Sequence, residues 1–181
     1  MSRNALLGLC LLLSALALVA AGCGGDDEPD VSATEEWADA LCTATTSWTD
    51  ELERIGNELT DVSSFSTDAL EDAAQEASDA TDAFVEEVRA LGGPDTESGQ
   101  EVEDALDALA DTVEAEKAEI EQEVEDVSGI AGIASAGTAI ASSVSTMFAA
   151  VEQAFDAIDG ADVDGEIRSA FEQSASCEDV R

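Results

Sequence analysis

Apolar residues recur every three or four positions along four separate stretches of this 181-residue chain. That interval is the period of one buried helical face, so each stretch predicts an amphipathic helix. The first stripe is Trp37, Leu41, Ala44, Trp48, Leu52, Ile55, Leu59 and Val62, and it predicts a helix from Ser32 or Thr34 to Val62. Both tryptophans lie on this stripe, which assigns them to core packing rather than to exposed ligand stacking. The second stripe is Leu70, Ala73, Ala77, Ala80, Phe84, Val88 and Leu91. Ser66 precedes it as an N-cap, with Phe65 and Leu70 placed to form a hydrophobic staple. Gly92-Gly93-Pro94 stops that helix, and its many alanines allow a neighbour to approach closely. The third helix begins at Ser98, which has capping-box spacing to Glu101, and buries Val102, Leu106, Leu109, Val113, Ile120, Val124 and Val127. Its outer face is densely acidic, from Glu114 and Glu116 to Glu125 and Asp126, with Lys117 as its base.

The fourth helix is predicted over Ile130 to Ile158, with Ile133, Gly137, Ile140, Val144, Met147, Val151 and Phe155 between them on the stripe. Residues 127–151 carry no charge, which raises a membrane span as a reading. Gly, Ser and Thr are frequent there and the large apolar residues keep mostly to one face, which favours a bundle helix packed on several sides. Asp159-Gly160 ends it. A short fifth helix follows over about Asp164 to Ala175, with Ile167, Ala170 and Phe171 facing inward. With only 2 prolines and 45% hydrophobic residues, the composition suits helices. Four long stripes joined by short connections predict an all-α fold over residues 36–181. The arrangement expected is an antiparallel four-helix up-down bundle with a short fifth C-terminal helix.

The chain opens MSRNALLGLCLLLSALALVAAGC. Arg3 supplies a short positive region, and residues 5–21 are uncharged and rich in Leu and Ala. The stretch is short and terminal, which fits an export signal over 1–22 better than a spanning helix. Its ending, Val19-Ala20-Ala21-Gly22-Cys23, resembles the bacterial lipobox, in which small residues precede a lipidated Cys. The resemblance implies that Cys23 receives a diacylglycerol and becomes the new N-terminus, on the outer face of the cell membrane. Ala20 departs from the commonest pattern, which has Leu there. The rival is ordinary cleavage after Ala21, which would release the protein. Residues 23–35 then comprise the lipidated Cys and an acidic tether, GGDDEPDVSATE, without an apolar period. Beyond the leader, Glu36 to Cys42, Trp48 and Phe171 to Cys177 resemble uncharacterised lipid-anchored helical proteins of actinobacteria. That resemblance implies no known activity.

Of the 4 cysteines, Cys10 lies in the leader, where it serves as a small hydrophobe, and Cys23 is assigned to lipid. Cys42 and Cys177 remain, an even pair in an oxidising compartment, and are expected to form a disulfide. The up-down topology supports it, because the fourth helix returns towards the start of the first. The rival is two buried free thiols.

Charge and residue types remove whole classes of chemistry. Acidic residues number 43 against 6 basic ones, and all of the acids follow Gly25. Nucleic acid is excluded as a partner because neutralising phosphates needs basic side chains. An anionic lipid surface repels such a domain, so membrane contact is expected through the anchor. With no His and no Tyr, the chain holds no Ser/His/Asp or Cys/His nucleophile system and no imidazole zinc site. No Gly-Lys-Ser/Thr phosphate loop occurs. Carboxylate pairs of the glycosidase type are permitted by residue type, but any acidic helix surface offers them. Residues 159–166, DGADVDGE, partly resemble the start of an EF-hand loop. With Gly165 at the sixth position, however, Gly160 and Phe171 would fall at ligand positions. The segment therefore reads as a turn with a helix N-cap. No enzyme, cofactor or metal site is expected.

Two functional classes survive. One is a non-catalytic module of the cell envelope that binds a protein, a wall component or a small ligand. The other is an acidic structural or cation-buffering surface lipoprotein. A concave or apolar exposed patch distinguishes the first from a uniformly acidic exterior.

Overall fold

A computed structural model describes residues 32–59, 66–125, 127, 129–178 and 180. The expected leader, Cys23 and most of the tether lie outside the described residues, as do Val62 and the staple partner Phe65. Among the described residues five α-helices follow one another: α1 Ala33–Leu59, α2 Thr67–Leu91, α3 Gly99–Glu125, α4 Gly129–Ala161 and α5 Glu166–Gln173. A single 3-10 turn, Ala175–Cys177, comes last. Among the described residues there is no strand.

Helix α1 starts ahead of residue 36, because Ser32 and Glu35 cap each other. The Glu35 amide donates to Ser32 Oγ at 3.1 Å, and the Ser32 amide donates to Glu35 Oε2 at 2.5 Å. Helix α2 begins as its sequence predicts, with Ser66 Oγ accepting from the Ala69 amide at 3.1 Å. The capping box expected at Ser98 and Glu101 gives way to a tertiary contact. Ser98 is buried, and its hydroxyl donates to the Ala161 carbonyl at 2.7 Å, tying the start of α3 to the end of α4.

Each long helix packs antiparallel on the next, α1 on α2, α2 on α3, and α3 on α4. The turn between α2 and α3 is tight enough to demand glycine. A Cβ on Gly93 would stand 1.9 Å from the Gly99 carbonyl oxygen, and one on Gly99 would stand 2.2 Å from that of Pro94. Trp37 Nε1–H closes the same end, donating to the Gly92 carbonyl at 2.8 Å. Rings link α1 to both α2 and α4. Trp48 stacks on Phe84 at a centroid distance of 4.5 Å and meets the edge of Phe148 at 5.9 Å. Both tryptophans are core residues, as their place on the stripe predicts. Burying a Leu- or Phe-sized side chain contributes about 1.5–3 kcal/mol, so this stacked centre is a principal source of stability. Residues 31–181 form one compact unit that contains this core, so the unit has what it needs to fold alone.

Burial departs from the expected stripes on two helices. On α2, Ala73, Ala77 and Ala80 are only half-buried, and the polar Ser78 and Thr81 are buried instead. On α4, the buried face runs through Ala136, Ser143, Met147, Ala150, Ala154 and Ile158, while Ile133, Ile140 and Val144 are half-buried. This helix was expected to be packed on several sides, but it is not. Ala134, Ser135, Thr138, Ala141, Ser142, Ser145 and Thr146 face solvent. Thr138 and Thr146 satisfy their hydroxyls on the helix itself, donating to the Ala134 and Ser142 carbonyls. By length and composition alone, Gly132–Ala161 is apolar enough to cross a membrane.

Candidate functional site

The two ends of the bundle are built differently. At one end, the C-terminal segment is fastened across α1. Cys42 and Cys177 form a disulfide with a Cα–Cα distance of 5.1 Å, and both residues are fully buried. Phe171 of α5 packs between Trp37 and Phe155, at centroid distances of 5.8 and 5.6 Å. Asp162, buried before α5, accepts from the Ile167 and Arg168 amides at 3.2 and 2.9 Å. The segment with a partial calcium-loop look is thus a turn whose carboxylate caps a helix. Asp39 accepts from the Ser174 and Ser176 hydroxyls at 2.9 and 2.7 Å. Those two bonds, Ser176 first, hold its carboxyl below the usual carboxylate range.

Towards the other end the core divides. Leu70, Val124 and Ala136 form a small cluster apart from the main one, with Ala74 and Ile140 touching both. At the division lies a cavity of about 80 Å³, walled by all four long helices. Helix α1 supplies Leu52, Ile55 and Gly56; α2 supplies Leu70, Ala73, Ala74, Ala77, Ser78 and Thr81. Helix α3 supplies Lys117, Ile120 and Glu121; α4 supplies Ile140, Val144 and Met147. The cause is steric. Three alanines and a glycine leave volume, while Leu52, Ile55, Ile140 and Met147 hold the helices apart. Gly56 and Glu121 are exposed, so the space reaches the surface.

The polar groups in the wall are already engaged. Trp48 Nε1–H donates to Thr81 Oγ1 at 3.2 Å, and Ser78 Oγ donates to Glu121 Oε1 at 2.6 Å. Lys117 occupies the stripe position between Val113 and Ile120. Its stem lines the cavity and its ammonium reaches out to Asp82, with Glu121 4.0 Å away. Asp82 is the main cause that raises the Lys117 pKa above its ordinary value. The cavity therefore presents mainly carbon. One water needs roughly 10–15 Å³ and two to four polar partners, so this space is roomy but a poor host for ordered water.

Every base among the described residues is held by carboxylates, and each bridges two helices. Arg54 of α1 binds Glu76 of α2 at 2.8 Å as well as its neighbours Glu51 and Glu58. Arg89 of α2 binds Asp111 and Glu114 of α3, both at 2.8 Å, and Lys117 of α3 binds Asp82 of α2. Arg168 of α5 binds Asp159 of α4 at 2.9 Å. A second concavity, larger and more open, lies over Phe155, Ile167, Phe171 and Val180, rimmed by Glu152, Asp156, Asp159, Glu172 and Arg168. It lies on one face of α4 and α5 rather than between four helices.

Of the predicted site residues, the structure joins Cys42 to Cys177, and Cys23 lies outside the described residues. The cavity was missed at the sequence level. Its signals were the gap in the α3 stripe at Lys117 and the run of alanines on α2. Comparisons with protein families, curated proteins and solved structures found no match to this chain.

Proposed function

We propose that this protein is a lipid-anchored, non-catalytic binding module of the cell envelope. Cys23 carries the lipid on the extracytoplasmic face of the cell membrane, and the acidic stretch that follows it tethers the bundle. The interhelical cavity takes the apolar part of a ligand. The observation that carries the binding role is the cavity itself: mostly carbon-lined and reaching the surface, with the Ser78 and Thr81 hydroxyls in its wall already paired. It favours binding over the acidic-spacer reading, which requires no such space. The lipobox resemblance at Val19 to Cys23 supports the anchor. An apolar guest displaces poorly held water from such a site at little polar cost.

Two measurements test the two halves separately. Cys23→Ala is expected to release the protein from membranes or leave its leader uncleaved; wild-type fractionation and migration of the variant would remove the anchor. For the cavity, the Met147 and Ile140 methyl resonances of the 31–181 unit are expected to shift saturably with the neutral probe hexanol. The shifts should vanish in Ala77→Phe, which fills the space. Absence of saturable shifts in the wild type would remove the binding reading.

A further inference from the structure

We propose that the cavity selects single-chain amphiphiles with a cationic head, of the alkylammonium class, with the chain between the helices and the head beside Glu121. The proposal rests on the binding reading above and adds the sign of the ligand. An apolar wall alone accepts a chain with any head. The surroundings of this wall do not. Lys117 and Glu121 are the charged residues that line the cavity, and on the helices that wall it carboxylates outnumber the bases they hold: Arg54 of α1 is bound by Glu51, Glu58 and Glu76, and Lys117 stands between Asp82 and Glu121. An anionic head finds no uncommitted cation among the described residues, because Arg54, Arg89, Lys117 and Arg168 are all held by acids. It must also approach a chain of formal net charge −37. Glu121, by contrast, accepts the Ser78 hydroxyl on Oε1, and a carboxylate has acceptor sites for more than one donor. It lines the cavity, so an ammonium there keeps its alkyl chain within reach of Ala77 and Ile140.

The experiment compares three probes of one chain length on the 31–181 unit: hexylammonium, hexanol and hexanoate. Binding is read from the Met147 and Ile140 methyl resonances at low salt and again at 0.5 M NaCl. Hexylammonium is expected to bind tightest and hexanoate weakest, with a gap on the order of tenfold at low salt that narrows as the screening length falls. Glu121→Gln keeps an acceptor for Ser78 and removes the charge, and is expected to shrink the gap between hexylammonium and hexanoate severalfold. Ala77→Phe is expected to abolish the saturable shifts for all three. Equal affinity for the three probes, or a preference for hexanoate, overturns the charge selection while leaving the cavity a binding site. Hexylammonium shifts that persist in Ala77→Phe mean attraction to the acidic surface alone, and also overturn it. If hexanol fails as well, the binding reading itself falls.

Discussion

The end of the bundle that carries the disulfide and the end that carries the cavity are made from the same four helices, yet they solve opposite problems. At the first, Trp37, Phe155 and Phe171 interlock, Cys42 is bonded to Cys177, and Asp39 and Asp162 hold the closing segment by hydrogen bonds. At the second, alanine and glycine occupy positions that larger residues would fill, and the core breaks into two clusters. A protein interior is close-packed, and a gap forfeits dispersion contacts along its lining. The difference shows that helical periodicity sets which faces meet, while side-chain size sets how well each level is filled. A domain can tolerate a loose level when another is cross-linked and densely packed.

The largest effect should come from opening the fastened end. The bridge spans a sequence separation of 135 residues, and the double substitution Cys42→Ala/Cys177→Ala is expected to cost about 2–5 kcal/mol in urea unfolding. A loss below about 0.5 kcal/mol, within the range of an ordinary surface change, would mean that ring packing alone secures this end.

Filling should distinguish the two ends by sign. Ala154 lies in the main core, and Ala154→Leu is expected to destabilise by about 1–3 kcal/mol through overpacking. Ala77→Leu, against the cavity, is expected to be neutral or stabilising by up to about 1 kcal/mol, since added methylenes enter existing space. Equal losses at the two sites would show that the cavity has no usable room.

Salt should act along the whole of α3, which carries like-charged neighbours four residues apart at both ends, Glu103 with Asp107 as well as Glu119 with Glu123 and Glu121 with Glu125. Each such pair costs about 0.2–0.5 kcal/mol at low ionic strength. The screening length falls from about 30 Å at 0.01 M to about 10 Å at 0.1 M. Thermal stability is therefore expected to rise with NaCl, with hydrogen-exchange protection improving around both Leu106 and Ile120. Calcium and magnesium should help alike; a saturable gain from calcium that magnesium fails to reproduce would indicate a specific site instead. A melting temperature that is flat or falling up to 0.2 M NaCl would sink the repulsion argument.

The smallest effect concerns Asp39. Its folded pKa lies below the ordinary 3.8, so its contribution is present above the unfolded value and is lost as pH falls through the folded one. Asp39→Ala should therefore be less stable than wild type at neutral pH, with the gap closing below about pH 4, near where a free Asp titrates. A gap that stays constant down to pH 2 would show that the Ser174 and Ser176 contacts do not depend on the charge.

Much of the bundle was legible because stripe and length suffice for helices. Ser66 as the α2 cap, Gly92 as its end, and the pairing of Cys42 with Cys177 all follow from local residue types or from topology. The cavity and the buried Ser78 and Thr81 did not, because a stripe drawn through apolar residues omits polar ones that find a partner inside. Thr81 is buried by accepting from Trp48, and Ser78 by donating to Glu121; both partners come from other helices. Ser98 misled for a related reason. Its spacing to Glu101 predicts a cap, but a tertiary acceptor, the Ala161 carbonyl, takes its hydroxyl. Lys117 sits where the stripe asks for an apolar residue, and its long stem meets that demand while its head leaves the core.

The four interhelical bases have a further consequence, in proteolysis. A trypsin-like protease cuts after Lys or Arg and needs an unfolded stretch of chain around the cleaved bond. Arg54, Arg89, Lys117 and Arg168 all lie within helices and are tied to carboxylates. Cutting at any of them requires a helix to open first, so native digestion should follow the population of opened molecules rather than the exposure of a loop. Among the described residues, the ones such an enzyme recognises are those that pin neighbouring helices together.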